Sequence, residues 1–228
     1  MTRTTQKLKI QEIDRKLLLM ANLAEQQINE SMEALKELKT DELERIIAND
    51  DKVDLMQKEI EEGCIKFIAT EQPLAKDLRR VFTSTKIVTD IERIADYTVD
   101  ICKIINRISG EDKAVLDKLS LLWEMEEYVR KMLDEGINAY IQKDKEKALQ
   151  ICKMDDKVDD MYKSIFTSIL GLLKQEDGIN ESYAQLLFVT KYLERMGDHI
   201  TNICEWIIFS VTGNYVDLNE WLIKAYIG

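Results

Sequence analysis

The sequence predicts an all-α protein built as two tandem three-helix bundles related by internal duplication. Three observations carry this expectation. One proline and eight glycines in 228 residues leave almost no turn punctuation, which disfavours sandwiches, barrels and βαβ arrays. Apolar residues recur at three-and-four spacing over long stretches, the period of an amphipathic helix. Sequence blocks from the first half also return, in the same order, in the second.

The repeat fixes the organisation. Asp-Asp-Lys-Val-Asp at 50–54 returns at 155–159, a shift of 105 that also maps Met20 onto Met125 and Ala34 onto Ala139. Glu92-Arg93-Ile94-Ala95-Asp96 returns as Glu194-Arg195-Met196-Gly197-Asp198, and Ile101-Cys102 as Ile203-Cys204, now with a shift of 102. The halves are therefore duplicates that differ by a short indel. A first helix ends at Leu38-Lys39-Thr40-Asp41, where Asp41 and Glu44 resemble a capping box for the second. Gln72-Pro73 ends the second helix, and the third carries the stripe Val81, Ser84, Val88, Ile91, Ala95, Thr98, Cys102 and Ile105 up to Ser109-Gly110. Breaks in the second half fall near Lys143-Asp144, at Glu176-Asp177-Gly178 and after Val211-Thr212-Gly213, with a matching stripe from Leu186 to Val211. Helices of about 30 residues are ~45 Å long, and short connections make them antiparallel neighbours. The expected units are residues 1–110, residues 111–213, and a tail at 214–228 whose Trp221 and Tyr226 pack on the bundle.

Composition excludes several functions. A formal charge of −11 makes nucleic acid and anionic membrane poor partners. No stretch approaches the ~18 apolar residues of a membrane span, and Met1 to Gln11 lacks the apolar core of a signal peptide, so a cytoplasmic location is expected. Cys64, Cys102, Cys152 and Cys204 form no C-x-x-C motif and read as reduced core residues. The single histidine, His199, rules out zincin and ferritin-like ligand sets.

Carboxylates are what remains. Asp54 and Asp50 lie 19 and 23 residues before Pro73, and Glu92 and Asp96 lie 19 and 23 residues after it. A reversal at Pro73 brings the two acidic pairs level on antiparallel helices. Asp155 and Asp159 come level with Asp198 and Glu194 in the same way about the turn at 176–178. Spacing of i, i+4 puts each pair on one helix face, about 6 Å apart along the axis. Four carboxylates at one level repel unless a cation or a basic side chain fills the gap. Hard oxygen ligands suit Mg, Ca, Mn or Fe and admit Zn. The competing reading is a solvated charge face, with Lys52, Lys157, Arg93 and Arg195 as counter-ions. His199 falls off the acidic face and reads as a surface or inter-helix residue. Trp206 and Phe209 belong to the end of the last helix, and Arg79 and Arg80 to a solvated helix start with anion contact as the alternative.

Gln72-Pro73-Leu74-Ala75-Lys76-Asp77-Leu78-Arg79, Asp90-Ile91-Glu92-Arg93-Ile94-Ala95-Asp96, Tyr192-Leu193-Glu194-Arg195-Met196-Gly197-Asp198-His199, Thr201-Asn202-Ile203-Cys204-Glu205-Trp206 and Val211-Thr212-Gly213 together resemble the PhoU family of phosphate-specific transport accessory proteins. The resemblance spans nearly the whole chain. It implies two three-helix bundles, each with an acidic cluster that binds metal in some members, with Fe, Zn, Mn and Mg as the candidate ions. The matching positions are Asp50, Asp54, Glu92 and Asp96, then Asp155, Asp159, Glu194 and Asp198, with Asn202 after the second motif and Asp100 where the first half departs. It also implies a cytoplasmic negative regulator of the phosphate-starvation response, in contact with the ATPase of the phosphate ABC transporter and a sensor histidine kinase; a homodimer is admitted. Two alternatives stand beside it: a metal-free helical adaptor, and a carboxylate-bridged metalloenzyme, which the lack of a nearby neutral base disfavours.

Overall fold

A computed structural model describes residues 3–108, 113–174 and 181–215. Its helices are α1 (Arg3–Glu37), α2 (Leu43–Glu71), α3 (Ala75–Ile105), the single-turn α4 (Lys113–Leu116), α5 (Ser120–Gln142), α6 (Lys145–Leu173) and α7 (Glu181–Thr212). No strand occurs among the described residues. Helices α1, α2 and α3 pack on one another, and α5, α6 and α7 repeat the arrangement. The expected breaks at Ser109-Gly110 and Glu176-Asp177-Gly178, and Trp221 and Tyr226 of the tail, lie outside the described residues.

The duplication is visible in how the helices stop. Leu38 and Lys143, equivalent under the shift of 105, both take left-handed backbone, with φ of 53° and 59°. Beyond them the Lys39 N–H donates to the Ala34 carbonyl at 3.0 Å and the Asp144 N–H to the Ala139 carbonyl at 2.9 Å. These are the long closing bonds of a Schellman turn, made by the alanine pair that the repeat matches. Gln72 ends α2 in the same left-handed conformation, and Pro73 prevents the helix from continuing. Helix starts are less alike. The capping box expected of Asp41 and Glu44 does not form: α2 begins at Leu43 behind Glu42, whose backbone is helical and whose side chain caps nothing. The Glu42 carboxylate instead meets Arg45 at 2.6 Å. In the second half Asp144 has the extended backbone an N-cap requires and accepts from the Lys147 N–H at 3.0 Å.

The two halves meet through equivalent helices, α3 against α7 and α1 against α5. Along α3 and α7, Thr83 lies opposite Trp206, Asp90 opposite His199 and Tyr97 opposite Tyr192. Numbers rise on one helix as they fall on the other, so the pair is antiparallel. Under the shift of 102, Asp90 becomes Tyr192 and Tyr97 becomes His199. The 2.8 Å contact from Asp90 Oδ1 to His199 Nδ1 and the stacked Tyr97–Tyr192 rings are thus the same contact seen twice about a pseudo-twofold axis. Helices α1 and α5 cross likewise, with Glu25 opposite Arg130 and Lys36 over Trp123.

One apolar core runs through both halves and includes Leu17, Ile28, Ile91, Met125, Leu193 and Ile200, none of them exposed. All four cysteines are buried and free, and burial pushes the Cys64 and Cys102 thiols up to about 12. Trp206 and Phe209 join Phe82 and Tyr215 in an edge-to-face and stacked cluster where α3 begins and α7 ends.

The caps make a testable contrast. Asp144→Ala should cost ~1 kcal/mol in urea unfolding by removing a used N-cap, whereas Asp41→Ala should cost no more than a few tenths. Equal losses would mean that Asp41 caps α2 after all.

Candidate functional site

Hairpins α2–α3 and α6–α7 hold their acidic residues as the count about the turns requires. The charges that act on Asp50 come from Asp96, Asp54 and Glu92, with Asp51 next along the chain. Those on Asp155 come from Asp198, Asp159 and Glu194. Asp50 therefore faces Asp96, and Asp155 faces Asp198. Further round each cluster Glu92 feels Asp96 and Asp54, and Asp159 feels Glu194.

Each cluster has a wet rim and a drier base. Glu194 accepts from Lys191 Nζ at 2.5 and 2.6 Å. Arg93 meets Asp96 at 2.9 Å and Glu92 at 3.5 Å. Lys191 was not among the counter-ions expected from sequence, although its i, i+3 spacing to Glu194 was visible there. Of those expected, only Arg93 serves: Lys52 bonds Asn49, Lys157 reaches Glu124, and Arg195 lies over the Tyr97 ring. At the base, three buried carboxylate oxygens have no hydrogen-bond partner: Asp50 Oδ1, Glu92 Oε2 and Asp155 Oδ1. The 3.5 Å Arg93 contact to Glu92 Oε2 is ionic without being a hydrogen bond. Thr201 Oγ1 is also buried without a well-formed hydrogen bond, and its hydroxyl biases Asp155 toward ionisation.

Burial, reinforced by Asp96, Asp54 and Glu92, pushes Asp50 up to about 6. Burial and then Asp198 and Asp159 push Asp155 up to about 7. Glu92, Asp159 and Asp198 are raised too, in each case first by desolvation and then by a neighbouring carboxylate. His199 opposes the shift at Glu92 and Asp198. The greater shift at Asp155 has a structural cause in Gly197, which replaces Ala95 of the first half. A Cβ on Gly197 would stand 2.6 Å from Asp155 Oδ1 and 3.3 Å from Val158, so only glycine lets that carboxylate seat against the α7 backbone.

Two expected members stand apart. Asp100 bonds Lys103 at 2.8 Å and is not among the charges acting on Asp50. The Asn202 amide donates across the halves to Asp90 at 3.5 Å. His199 sits between helices, on Asp90 and against the Tyr97 ring. Arg80, expected at a solvated helix start, is buried instead, because its guanidinium donates to Asp14 at 2.7 Å and covers the Tyr140 ring. Its neighbour Arg79 lies against Gly213, whose φ is 80°.

Among the described residues no three His, Cys, Asp or Glu side chains are gathered closely enough to hold a metal ion as they stand. With Arg93 and Lys191 drawing the rim carboxylates toward themselves, the acids face one another without converging. The donor set nevertheless fits a divalent cation: it is all hard oxygen, and three of those oxygens are buried without a partner.

Comparison with known proteins places this arrangement. The PhoU domain family matches the chain twice, over residues 17–105 and 122–207. The phosphate-specific transport system accessory protein PhoU homolog of Clostridium acetobutylicum is 43% identical, over 96% of this chain and the whole of that one. Phosphate-specific transport system accessory protein PhoU of Escherichia coli is 30% identical, over 90% of this chain and 84% of that one. The crystal structure of the phosphate transport system regulatory protein PhoU from Streptococcus pneumoniae superposes with a TM-score of 0.85 at 27% identity, covering 93% of this chain and 99% of that one. PhoU from Pseudomonas aeruginosa gives 0.81 at 26% identity, covering 91% and 99%.

The carboxylate pKa values set a pH dependence. Both raised groups start from 3.8, so the folded state holds their protons more tightly than the unfolded chain does. Their ionisation opposes folding above about pH 7, and that opposition is relieved as pH falls toward about 4. Metal-free protein should therefore gain stability from these groups on going from about pH 8 to about pH 5.5. Asp155→Asn should raise stability at about pH 8 by ~1 kcal/mol, or roughly 2–4 °C in Tm, and flatten the profile. An unchanged profile in the variant would show that Asp155 is not the group responsible.

Proposed function

Because the chain belongs to the PhoU domain family, we propose that it is an accessory regulator of phosphate-specific transport that works by protein–protein contact. The observation that carries this is the match of both halves to one domain family, together with relatives named for that role along nearly the entire chain. It is not an enzyme; the relatives are accessory and regulatory proteins. No described helix is long and apolar enough to cross a membrane. The finer reading is a cytoplasmic negative regulator that contacts the transporter ATPase and a sensor histidine kinase and holds the starvation response off when phosphate is plentiful. A net charge of −11 supports steered encounter with basic patches on such partners.

The acidic clusters belong to the same reading. Asp50, Asp54, Glu92 and Asp96 would hold one divalent site, and Asp155, Asp159, Glu194 and Asp198 the other. A cation bound there supplies positive charge that offsets the carboxylate repulsion and ties α2 to α3 and α6 to α7. The chain's own residues do the rest: Gly197 admits Asp155 to the base, Arg93 and Lys191 partly neutralise the rim, and the α3–α7 seam holds the two hairpins in register. A metal-free adaptor is the second reading. The seating of Arg93 and Lys191 on the acids favours it.

Two measurements test these readings. Added divalent cation at a hundredfold excess over its dissociation constant should stabilise chelator-treated protein by ~2.7 kcal/mol, more than monovalent salt of equal ionic strength. Asp54→Asn with Glu92→Gln should lower the metal content by one cluster's share. Equal effects of the two salts, with no metal retained, would leave the adaptor. Deleting the gene should leave phosphate-starvation genes switched on in phosphate-rich medium, and a pull-down should recover the transporter ATPase or the kinase. Normal repression, with neither partner recovered, would overturn the regulatory role.

A further inference from the structure

A wide cleft lies away from the carboxylates, about 18 Å further toward the start of α3 at ~1.5 Å per residue from Glu92 to Arg80. It is an open depression of about 970 Å³ between α1, the start of α3 and the end of α5. Lys7, Arg15, Lys76, Arg80 and Lys143 line it against only two acids, Asp14 and Asp77. That balance is opposite in sign to the chain as a whole. Asp14 is already engaged, accepting from Arg80 at 2.7 Å and from the Tyr140 hydroxyl at 3.0 Å. The side chains of Lys7, Arg15, Lys76 and Lys143 make no ion pair with a carboxylate among the described residues, and Arg80 pairs with Asp14. Burial lowers Lys143, and so do the positive charges of Arg80 and Lys76, an effect Asp14 and Asp77 only partly offset.

The floor of the cleft is a buried polar network whose equivalent positions in the other half are mostly leucine. Asp14, Arg80, Ser84 and Tyr140 are joined across the two halves, with Ser84 and Tyr140 hydroxyls 2.8 Å apart. Arg80 is 6% exposed, and its buried Nε–H has no partner. The repeat shifts carry these positions to Leu119, Ser182, Leu186 and Leu35, and Lys143 to Leu38. Leu35, Leu119 and Leu186 are buried core. Three of the four network positions are thus apolar in the other half. Replacing a buried ion pair by apolar side chains is commonly neutral or stabilising, so folding does not explain why one end keeps it. The network holds a guanidinium at the base of a cleft lined by cations from α1, the start of α3 and the end of α5.

We infer that this cleft binds a small organic phosphate of nucleotide size, its phosphoryl oxygens on Arg15, Lys76, Arg80 and Lys143 and its uncharged portion along Ile10, Leu18 and Ile141. Several unpaired cations call for a multiply charged anion, and the volume exceeds what one phosphate group fills. The N-terminus of α3, with Lys76 in its first turn, adds its positive end to the same side. The inference is independent of the acidic clusters and of the regulatory role.

The test is calorimetric titration of the full chain in EDTA, which removes any metal-bridged binding at the acidic clusters, using ADP, ATP, pyrophosphate, orthophosphate and citrate as probes. The expected result is one saturable site for ADP or ATP, with orthophosphate and citrate weaker by about tenfold or more. Arg15→Gln and Lys76→Gln, both at exposed positions, should each weaken ADP by about tenfold through loss of a charge-assisted hydrogen bond, with thermal melting unchanged. Absence of saturable binding by either nucleotide, citrate binding as tightly as ADP, or variants that bind ADP like the wild type would overturn the inference. Orthophosphate binding as tightly as ADP would overturn the organic part of it.

Discussion

Repulsion among carboxylates held at the same level on neighbouring helices is the constraint around which each half is organised. Two hairpins place Asp50 opposite Asp96 and Asp155 opposite Asp198. The α2–α3 turn is fixed by the left-handed Gln72 and by Pro73, and α3 and α7 pack against each other across the two halves. The structure answers the repulsion in two ways. At the rims, basic side chains take up charge, Arg93 in one half and Lys191 in the other. At the bases, burial raises the carboxyl groups toward neutrality and leaves Asp50, Glu92 and Asp155 with unpartnered oxygens.

The pseudo-twofold axis explains why the two clusters are alike without being identical. Duplication supplied the same hairpin twice, and joining equivalent helices across an axis made one core from two copies. Residues near the axis then diverged. Asp90 and His199 make a polar contact where the symmetry-related site has two stacked tyrosines. Gly197 replaced Ala95 and let Asp155 sink deeper than Asp50. At one end of the molecule Asp14, Ser84 and Tyr140 join Arg80 in a buried network where the other half has Leu119, Leu186 and Leu35.

Much of this was legible in the sequence, and the reason is geometric. The level pairing of acids needs only a count from a turn, so Pro73 and the repeat were enough to place Asp54 beside Glu92. The helix stops at Leu38 and Lys143 were legible for the same reason, because they recur at one shift. What escaped depended on partners distant in sequence. Arg80 was expected in solvent because nothing local shows that Asp14, 66 residues earlier, and Tyr140, 60 residues later, enclose it. Asn202 was grouped with the second cluster by its motif, yet its amide turns to Asp90 of the other half. Asp41 matched a capping pattern that the helical backbone of Glu42 pre-empts. Lys191 lies outside the repeated blocks that contain Arg93 and Arg195, although its i, i+3 spacing to Glu194 is local.

A divalent cation and the rim side chains compete to balance the same acids. Crystals soaked in a manganese salt and measured at the manganese absorption edge test this competition directly. Cation binding at the clusters should give anomalous peaks at both hairpins, within about 2.0–2.6 Å of oxygens from the Asp50 and Glu92 group and from the Asp155 and Glu194 group, with Arg93 and Lys191 swung away. Clusters without peaks, and with Arg93 and Lys191 still seated on Asp96 and Glu194, would contradict it.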